Sequence, residues 1–302
     1  FAPTFESLLF LRLVQGFVLG GLPAVAIAWM GDEFEKPALL SAVGLYIGAN
    51  SLGGISGRIV GGAAAEIGGP TAAFLAVGIM TLIGCGVFWR LLPNSRAFTP
   101  QRFELRKAAS DLGNHLRNPV LLAAYCLGGI NFLIFINQYS YITFRLAAVP
   151  YQLAASGLGL IFLTYLGGTF GSMISGRLAG RFSPAACMMV GGVILMLGTA
   201  ITLSESLVLI IVGLTVNAFG FFLAHSLASS WVGRYAQGAR GSASALYLVF
   251  YYMGASLGGF WLEPFWQWAG WSGVSIGSWL LLSITLMIAF GLWRFERRQA
   301  VS

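Results

Sequence analysis

Two arginines and one histidine lie inside long apolar stretches, where an ionisable side chain is unfavourable unless it has a partner. At a helical rise of about 1.5 Å per residue, Arg12 lies about 9 Å from Glu6 and Arg58 about 12 Å from Glu66. A charge deep in a membrane-spanning helix costs about 2.5–3.5 kcal/mol, so each arginine should face a cavity or a partner. His225 can relay a proton, because imidazole titrates near physiological pH. These residues indicate anion binding or proton coupling.

Each of the three also has a structural alternative. Arg12 would extend to the outer headgroups, Arg58 would hold helix ends together, and His225 would be a hydrogen-bonded packing residue. The carboxylates add no candidate deep in an apolar stretch, because all ten lie at the ends of such stretches or between them. Proton coupling within this chain therefore depends on His225 or on an end carboxylate that becomes buried.

Neutral polar and aromatic side chains form a second group of candidates. Asn131 and Gln138 are seven residues apart, so they share a helical face. Aromatic rings with a few amides suit a broad, weakly polar pocket for a small organic solute. The alternative is interhelical hydrogen bonding, at less than about 2 kcal/mol per bond. The predicted lining residues are Asn50, Asn131, Gln138, Tyr141, Asn217, Tyr247 and Tyr252.

The composition indicates that the chain is embedded in a lipid bilayer. Hydrophobic residues make up 57% of the sequence and charged residues 9%, against roughly 25% charged in soluble domains. Three scattered cysteines indicate apolar packing, with no paired spacing for a metal site. Neither HExxH nor GxxxxGK[ST] occurs, so we expect no enzyme activity and no cofactor. The basic residues lie between apolar stretches, which argues against nucleic acid as a partner.

An all-α, polytopic membrane protein with nine transmembrane helices is therefore predicted, since a span needs about 20 mainly apolar residues. A polar, basic stretch at 90–118 separates the third predicted span from the fourth. The predicted spans are Ser7–Met30, Ala38–Ile67, Thr71–Trp89, Val120–Phe144, Tyr151–Gly176, Ala185–Leu203, Leu207–Ser230, Ser242–Leu262 and Trp271–Trp293.

The basic residues predict the orientation of these spans. Of the 17 lysines and arginines, 14 lie on alternate connections or follow the last span, whereas Arg145 alone lies on the opposite side. Positive residues favour the cytoplasmic side. We therefore expect the C-terminus in the cytoplasm and residue 1 outside.

An internal repeat divides the chain into two similar halves. Ser41–Tyr46 recurs as Ser242–Tyr247, each preceded by a Trp-x-Gly triplet and followed by Ser-Leu-Gly-Gly. Such halves are typical of transporters. Aligning them predicts an incomplete N-terminal bundle (1–92), a cytoplasmic linker (93–118) and a C-terminal six-helix bundle (119–302). Three of twelve helices would then precede residue 1, and a coupling carboxylate could lie among them.

Three motifs resemble those of the major facilitator superfamily. Arg12, Gln15, Gly16 and Gly20 resemble its fourth-helix signature RxxQGxxxG. Gly53, Gly57, Arg58, Gly61 and Gly62 resemble the fifth-helix antiporter signature, with Arg58 in place of proline. The Gly176–Phe182 stretch is similar to the superfamily's GRLADR loop, with Gly180 in place of aspartate.

The chain is similar to the drug:proton antiporter group, in its arabinose-efflux-like bacterial branch. The resemblance implies a monomeric inner-membrane transporter that exports a drug-like or sugar-like solute in exchange for protons, by alternating access. It also implies that Arg12 and Gln15 contact the coupling group and that the signature glycines pack helices together. An uptake permease, a uniporter and a truncated non-transporting remnant remain alternatives.

A charged latch is predicted at the cytoplasmic mouth. Asp32 and Glu33 end the first span, and Arg177 and Arg181, which follow Gly176, lie on the same side in the other half. Exposed pairs contribute only about 0–1 kcal/mol each, so several must act together. Plain positive-inside topology is the alternative explanation for the arginines.

Overall fold

The computed structural model describes residues 4–33, 36–95, 104–236 and 239–301, and every regular element within them is helical. A 3₁₀ turn, Ile161–Thr164, joins α5 to α6. The helices are α1 (Phe5–Glu33), α2 (Lys36–Leu91), α3 (Leu105–Arg117), α4 (Pro119–Ala147), α5 (Ala155–Leu160), α6 (Tyr165–Arg181), α7 (Pro184–Ile201), α8 (Leu207–Tyr235) and α9 (Arg240–Val301).

Two of these helices are broken by tight turns. In α2, Gly68 has φ −137° and Gly69 has φ 71°; in α9, Ala269 has φ −144° and Gly270 has φ 56°. Glycine tolerates positive φ, and Pro70 starts the helix after the first break. Each helix therefore has two arms, 36–67 and 70–91 in α2, and 240–268 and 271–301 in α9. Both breaks fall between predicted spans.

The described residues contain seven helical stretches long and apolar enough to cross a membrane. Two of them, of 40 and 60 residues, include the breaks in α2 and α9 and exceed the length that one crossing needs. This confirms the all-α, multi-span class. The count of nine spans stays a prediction.

Helices α4 and the first arm of α9 pack closely and run in parallel. Residues later in α4 contact residues later in α9, as parallel helices require. Gly129 lies against Phe250 and Gly254, and Asn137 lies against Gly258. A Cβ added to Gly129 would lie 2.7 Å from the Phe250 carbonyl oxygen. Small residues permit this approach, which supplies packing that apolar burial cannot provide inside lipid.

Helices α7 and α8 form the antiparallel counterpart of this contact. A Cβ on Gly191 would lie 2.8 Å from the Gly220 carbonyl oxygen, and one on Gly213 would lie 2.8 Å from that of Gly198. Helix α6 crosses the other side of α8, where Ser172 and Ser226 share a hydrogen bond of 2.6 Å. These contacts hold the C-terminal bundle together around buried aromatic and aliphatic side chains.

The signature glycines differ in what they contact. A Cβ on Gly62 would lie 2.5 Å from the Ala155 carbonyl oxygen, so Gly62 packs the first arm of α2 onto α5. Gly57 and Gly61 face side chains of the second arm, at 3.8 and 3.6 Å. Around Gly16, Gly20 and Gly53 a Cβ would meet no described atom within 4 Å. Among these signature glycines, close packing against a neighbouring backbone therefore occurs at Gly62 within the described residues.

Two connections contain more helix than the apolar pattern predicts. The sequence places Gly176–Phe182 in a loop, whereas α6 continues to Arg181. The helix continues because Ser183 and Pro184 are the first residues that suit a boundary; Ser183 caps α7 by accepting a hydrogen bond from the Ala186 amide. Likewise, the predicted linker contains a helix, α3. It packs against α4 and α9, with His115 buried and its Nε2 3.3 Å from the Ala239 carbonyl oxygen.

Candidate substrate and coupling site

Arg58 lies at the seam between the first arm of α2 and the α5–α6 segment. Its Cζ is 4.4 Å from the centre of the Phe162 ring and 5.8 Å from that of Tyr165. Nη1 donates a hydrogen bond of 3.2 Å to the Gly54 carbonyl oxygen on its own helix. The side chain is half-buried, so the guanidinium is held against aromatic faces.

The C-terminal bundle offers an aromatic patch formed by α4 and α9. Phe132 stacks on Tyr251 with ring centres 3.6 Å apart, and Tyr252 meets Phe132 edge-on at 6.2 Å. Phe132 and Tyr251 are half-buried and Tyr252 is 51% exposed. Deeper in the core, Phe135 stacks on Phe221 with ring centres 4.0 Å apart. Hence the patch has an accessible amphipathic face and a fixed apolar base.

His225 lies beside this aromatic patch, on α8. Its Nδ1 shares a hydrogen bond of 2.8 Å with the Tyr247 hydroxyl, and its ring centre is 4.7 Å from that of Tyr251. Phe221 stacks on the imidazole, with ring centres 5.7 Å apart. His225 is half-buried, whereas Tyr247 is 2% exposed. The pair can exchange hydrogen-bond roles when the imidazole gains or loses a proton.

Gln138 and Asn217 instead meet inside the bundle, together with Thr199. Asn217 Nδ2 donates to Gln138 Oε1 at 2.8 Å and to Thr199 Oγ1 at 3.1 Å, and Gln138 Nε2 donates to Thr199 Oγ1 at 3.0 Å. All three are at most 1% exposed. Asn131 is also buried, at 2%. For Gln138 and Asn217 this placement favours interhelical hydrogen bonding over pocket lining, the alternative that the sequence left open. The buried Oδ1 of Asn131 has no hydrogen-bond partner among the described residues, so the role of Asn131 stays a prediction.

Glu263 is a polar contact that the sequence analysis missed. Tyr141 donates a hydrogen bond of 2.7 Å to Glu263 Oε2, and Gln267 Nε2 donates one of 2.7 Å to Oε1. The predicted span ends at Leu262, but the first arm of α9 continues to residue 268. Glu263 therefore lies about 9 Å along the helix from the break at Ala269. The Ala269-Gly270 pair, not the Glu263-Pro264 step, was the signal for the helix end.

Arg12 and Gln15 contact each other on α1. Arg12 Nη1 donates a hydrogen bond of 2.9 Å to Gln15 Oε1, and its Cζ is 5.2 Å from the centre of the Phe74 ring. Both side chains are exposed, as is Asn50 on α2. Their assignment to coupling or substrate binding stays a prediction.

The predicted latch residues are placed only in part. Arg177 and Arg181 are exposed in the last turns of α6. Glu33 Oε1 accepts a hydrogen bond from Ser95, just beyond the end of α2. The side chain of Asp32 lies outside the described part of the chain. The latch therefore stays a prediction.

A cavity of about 450 Å³ lies elsewhere, where the C-terminal ends of α3, α8 and α9 meet the start of α4. None of the predicted substrate residues lines it. The lining residues are Asn114, Arg117, Asn118, Pro119, Val120, Tyr235, Phe295 and Gln299.

Comparison with known proteins agrees with this architecture. Residues 1–259 match the Major Facilitator Superfamily, and the chain belongs to this family of membrane transporters. It is 37% identical over 293 residues to YybF, an uncharacterized MFS-type transporter of Bacillus subtilis (strain 168), covering 97% of this chain and 71% of YybF. It is 33% identical over 291 residues to the inner membrane transport protein YnfM of Escherichia coli (strain K12), covering 96% and 70%.

A solved structure shares the fold. The crystal structure of a bacterial homolog of the human lysosomal transporter Spinster, inward-facing and unoccupied, has a TM-score of 0.57. The match covers 88% of this chain and 72% of that protein, at 16% sequence identity. The family match and the two relatives identify the chain as a multi-pass membrane transporter.

Proposed function

We propose that this transporter exports a small organic solute across a bacterial inner membrane in exchange for protons. The observation that carries the proposal is the accessible aromatic patch of Phe132, Tyr251 and Tyr252, with His225 beside it. The patch supplies the apolar contact area that an organic solute needs. The histidine supplies a ring nitrogen that can bind and release a proton.

Coupling follows from the position of His225 next to the patch. A proton on the imidazole places a positive charge against the rings of Tyr251 and Phe221, where a bound solute meets it. Proton binding and solute binding then influence each other by the same free energy. Release of the proton on one side and of the solute on the other completes the exchange.

Alternating access requires two bodies that move against each other around the site. The first arm of α2, with Arg58, borders the α5–α6 segment of the C-terminal bundle. We place the moving boundary along this border, with the cytoplasmic residues Glu33, Arg177 and Arg181 closing the inner mouth. The C-terminus and these residues then face the cytoplasm, as the basic residues predict.

Everted inner-membrane vesicles give a direct experiment, because their respiration acidifies the lumen. Vesicles that contain the chain should respond to an exported solute with partial loss of the lumenal acidity, read by acridine orange fluorescence. Vesicles without the chain should not respond. A panel of neutral, cationic and anionic aromatic solutes covers the chemistry of the patch.

The alternatives give different results in the same vesicles. A uniporter or uptake permease would move labelled solute without releasing lumenal protons. A non-transporting chain would insert and move no solute. Either result, with the protein correctly inserted, overturns proton-coupled export.

A further inference from the structure

Tyr165 carries a buried hydroxyl with no described partner. The residue is 7% exposed, and its Oη makes no hydrogen bond within the part of the chain that the structure describes. Aromatic rings surround it, with Tyr139 at 4.8 Å, Phe135 at 5.2 Å and Phe162 at 5.5 Å between ring centres. Buried polar groups almost always have a partner, so an orphaned hydroxyl points to an unfilled site.

Arg58 is the charged neighbour of Tyr165. Its guanidinium lies 5.8 Å from the centre of the Tyr165 ring. A guanidinium has five N–H donors, yet among the described residues Arg58 makes one side-chain hydrogen bond, to Gly54. Glu66, on the same helix arm, accepts a hydrogen bond from the Ser156 amide at 3.2 Å instead. Arg58 thus keeps donors for a further acceptor.

The single bond of Arg58 does not explain its presence as a structural tie. Gly54 lies in the middle of the first arm of α2, where its carbonyl also belongs to the helix ladder. A guanidinium that only satisfied this oxygen would place a charge in an apolar segment for little gain. A ligand with negative charge provides the missing compensation.

The packing around Arg58 brings these groups together. The guanidinium is half-buried and rests on the Phe162 ring. On the neighbouring Gly57, a Cβ would meet only Met80 Cε, at 3.8 Å, among the described atoms. The site therefore combines one cation, one orphaned hydroxyl and aromatic faces.

We propose that Arg58 and Tyr165 bind the carboxylate of an aromatic organic anion, and that this anion is the class of solute transported. A planar guanidinium matches a carboxylate in bidentate fashion, and the Tyr165 hydroxyl can donate to the same group. The ring of the ligand packs beside Phe162. The single cation favours a monoanion over a phosphate, which carries more charge than Arg58 can compensate. The binding site does not depend on the proposed transport function; the claim that this anion is the transported solute rests on it.

Binding is measured first, on the full chain in lipid nanodiscs, with benzoate and 1-naphthoate as probes. Each carboxylate is compared with its neutral amide, benzamide or 1-naphthamide, which has nearly the same shape. We expect a carboxylate to bind and to raise the melting temperature, with affinity at least about tenfold above that of its amide. Absence of binding by both carboxylates, or equal binding of acid and amide, overturns the site.

Variants then locate the binding. Arg58→Gln should weaken carboxylate binding at least about tenfold, and Tyr165→Phe by several-fold. Arg234→Gln is the matched control, because Arg234 also lies near a tyrosine ring, 5.7 Å from Tyr235, but in the last turn of α8. If Arg58→Gln fails to fold, Tyr165→Phe decides, since it removes one oxygen only. Unchanged binding in the folded Arg58 variant, or in Tyr165→Phe, contradicts the assignment.

Transport measurements separate this site from the proposed function. Carboxylate binding that depends on Arg58, without any pH-driven flux, contradicts proton-coupled transport and leaves the site intact. Proton-coupled flux of cationic or neutral solutes, without carboxylate binding, contradicts the site and leaves the transport function intact.

Discussion

The hydroxyl of Tyr141 donates a 2.7 Å hydrogen bond to Glu263 and thereby joins α4 to the first arm of α9. Gly259 provides a second, longer acceptor for the same hydroxyl, at 3.4 Å. The two helices run in parallel, so this bond fixes their register at one end while glycine contacts fix it further along. Register between these helices positions the aromatic patch.

The Tyr141–Glu263 bond should be visible as coupling between two substitutions. Tyr141→Phe and Glu263→Met should each lower the melting temperature, and the double variant should resemble the worse single one, because both remove the same contact. The check is thermal unfolding of all four proteins in one detergent. Fully additive effects would contradict the bond.

The buried amides should matter for stability and not for substrate affinity. Thr199→Val leaves the amides of Gln138 and Asn217 short of one partner, at a cost of about 1–3 kcal/mol in the free energy of unfolding. Thr285→Val is the control, because that buried hydroxyl bonds only within its own helix, to Leu282. Transport by the Thr199 variant should keep its KM. A changed KM with unchanged stability would favour pocket lining instead.

The glycine contacts predict that two Gly→Ala substitutions change the stability in opposite directions. Gly129→Ala forces a methyl group against the Phe250 carbonyl, so we expect about 1–3 kcal/mol of destabilisation. Gly291→Ala adds a methyl group where no described atom lies within 4 Å, and should be neutral or stabilising by up to about 1 kcal/mol. Melting temperatures of the purified variants measure both. Equal effects would contradict the close packing of α4 on α9.

His225 should be required for coupling but not for solute exchange. His225→Gln removes the titrating imidazole, so accumulation driven by a pH gradient should disappear while solute counterflow at equal pH persists. Tyr247→Phe tests the partner: it removes the 2.8 Å bond and should shift the pH dependence of transport without abolishing it.

Glu263→Gln is the comparison for coupling, because Glu263 is the carboxylate that α9 places beside Tyr141. It should retain accumulation driven by the pH gradient. The reverse pattern, with accumulation lost in Glu263→Gln and kept in His225→Gln, would transfer the coupling role to the carboxylate.

The apolar helices could be predicted from the sequence, and so could the breaks between their arms. Gly68, Gly69 and Pro70 interrupt an apolar stretch with the residues that suit positive φ and a helix start, so the break in α2 follows from local chemistry. Helix α3 was missed because it is polar and lies outside the apolar pattern used to find spans. Leu105, Leu112 and Leu116 nevertheless recur at helical spacing, so an amphipathic helix could have been predicted, whereas its packing on α4 and α9 could not.

The site was harder to predict because the rotation of each helix is not visible in its sequence. Inside a membrane both the lipid-facing and the buried faces are apolar, so hydrophobic periodicity is weak. Gln138 and Asn217 therefore looked as suitable for a pocket as Tyr252, although they meet Thr199 in the core. The Tyr247 partner of His225 lies 22 residues away on another helix and is equally hidden.

The most direct test of proton-coupled export is flux in proteoliposomes made from the purified chain. The pH of the lumen is set below that of the medium. The solute that gave the largest response in everted vesicles is then added outside with a radioactive label. We predict accumulation above the external concentration, accompanied by proton loss from the lumen, and collapse of both with nigericin. Protein-free liposomes provide the baseline. Entry only to the external concentration, at a rate independent of the pH gradient, would contradict the account.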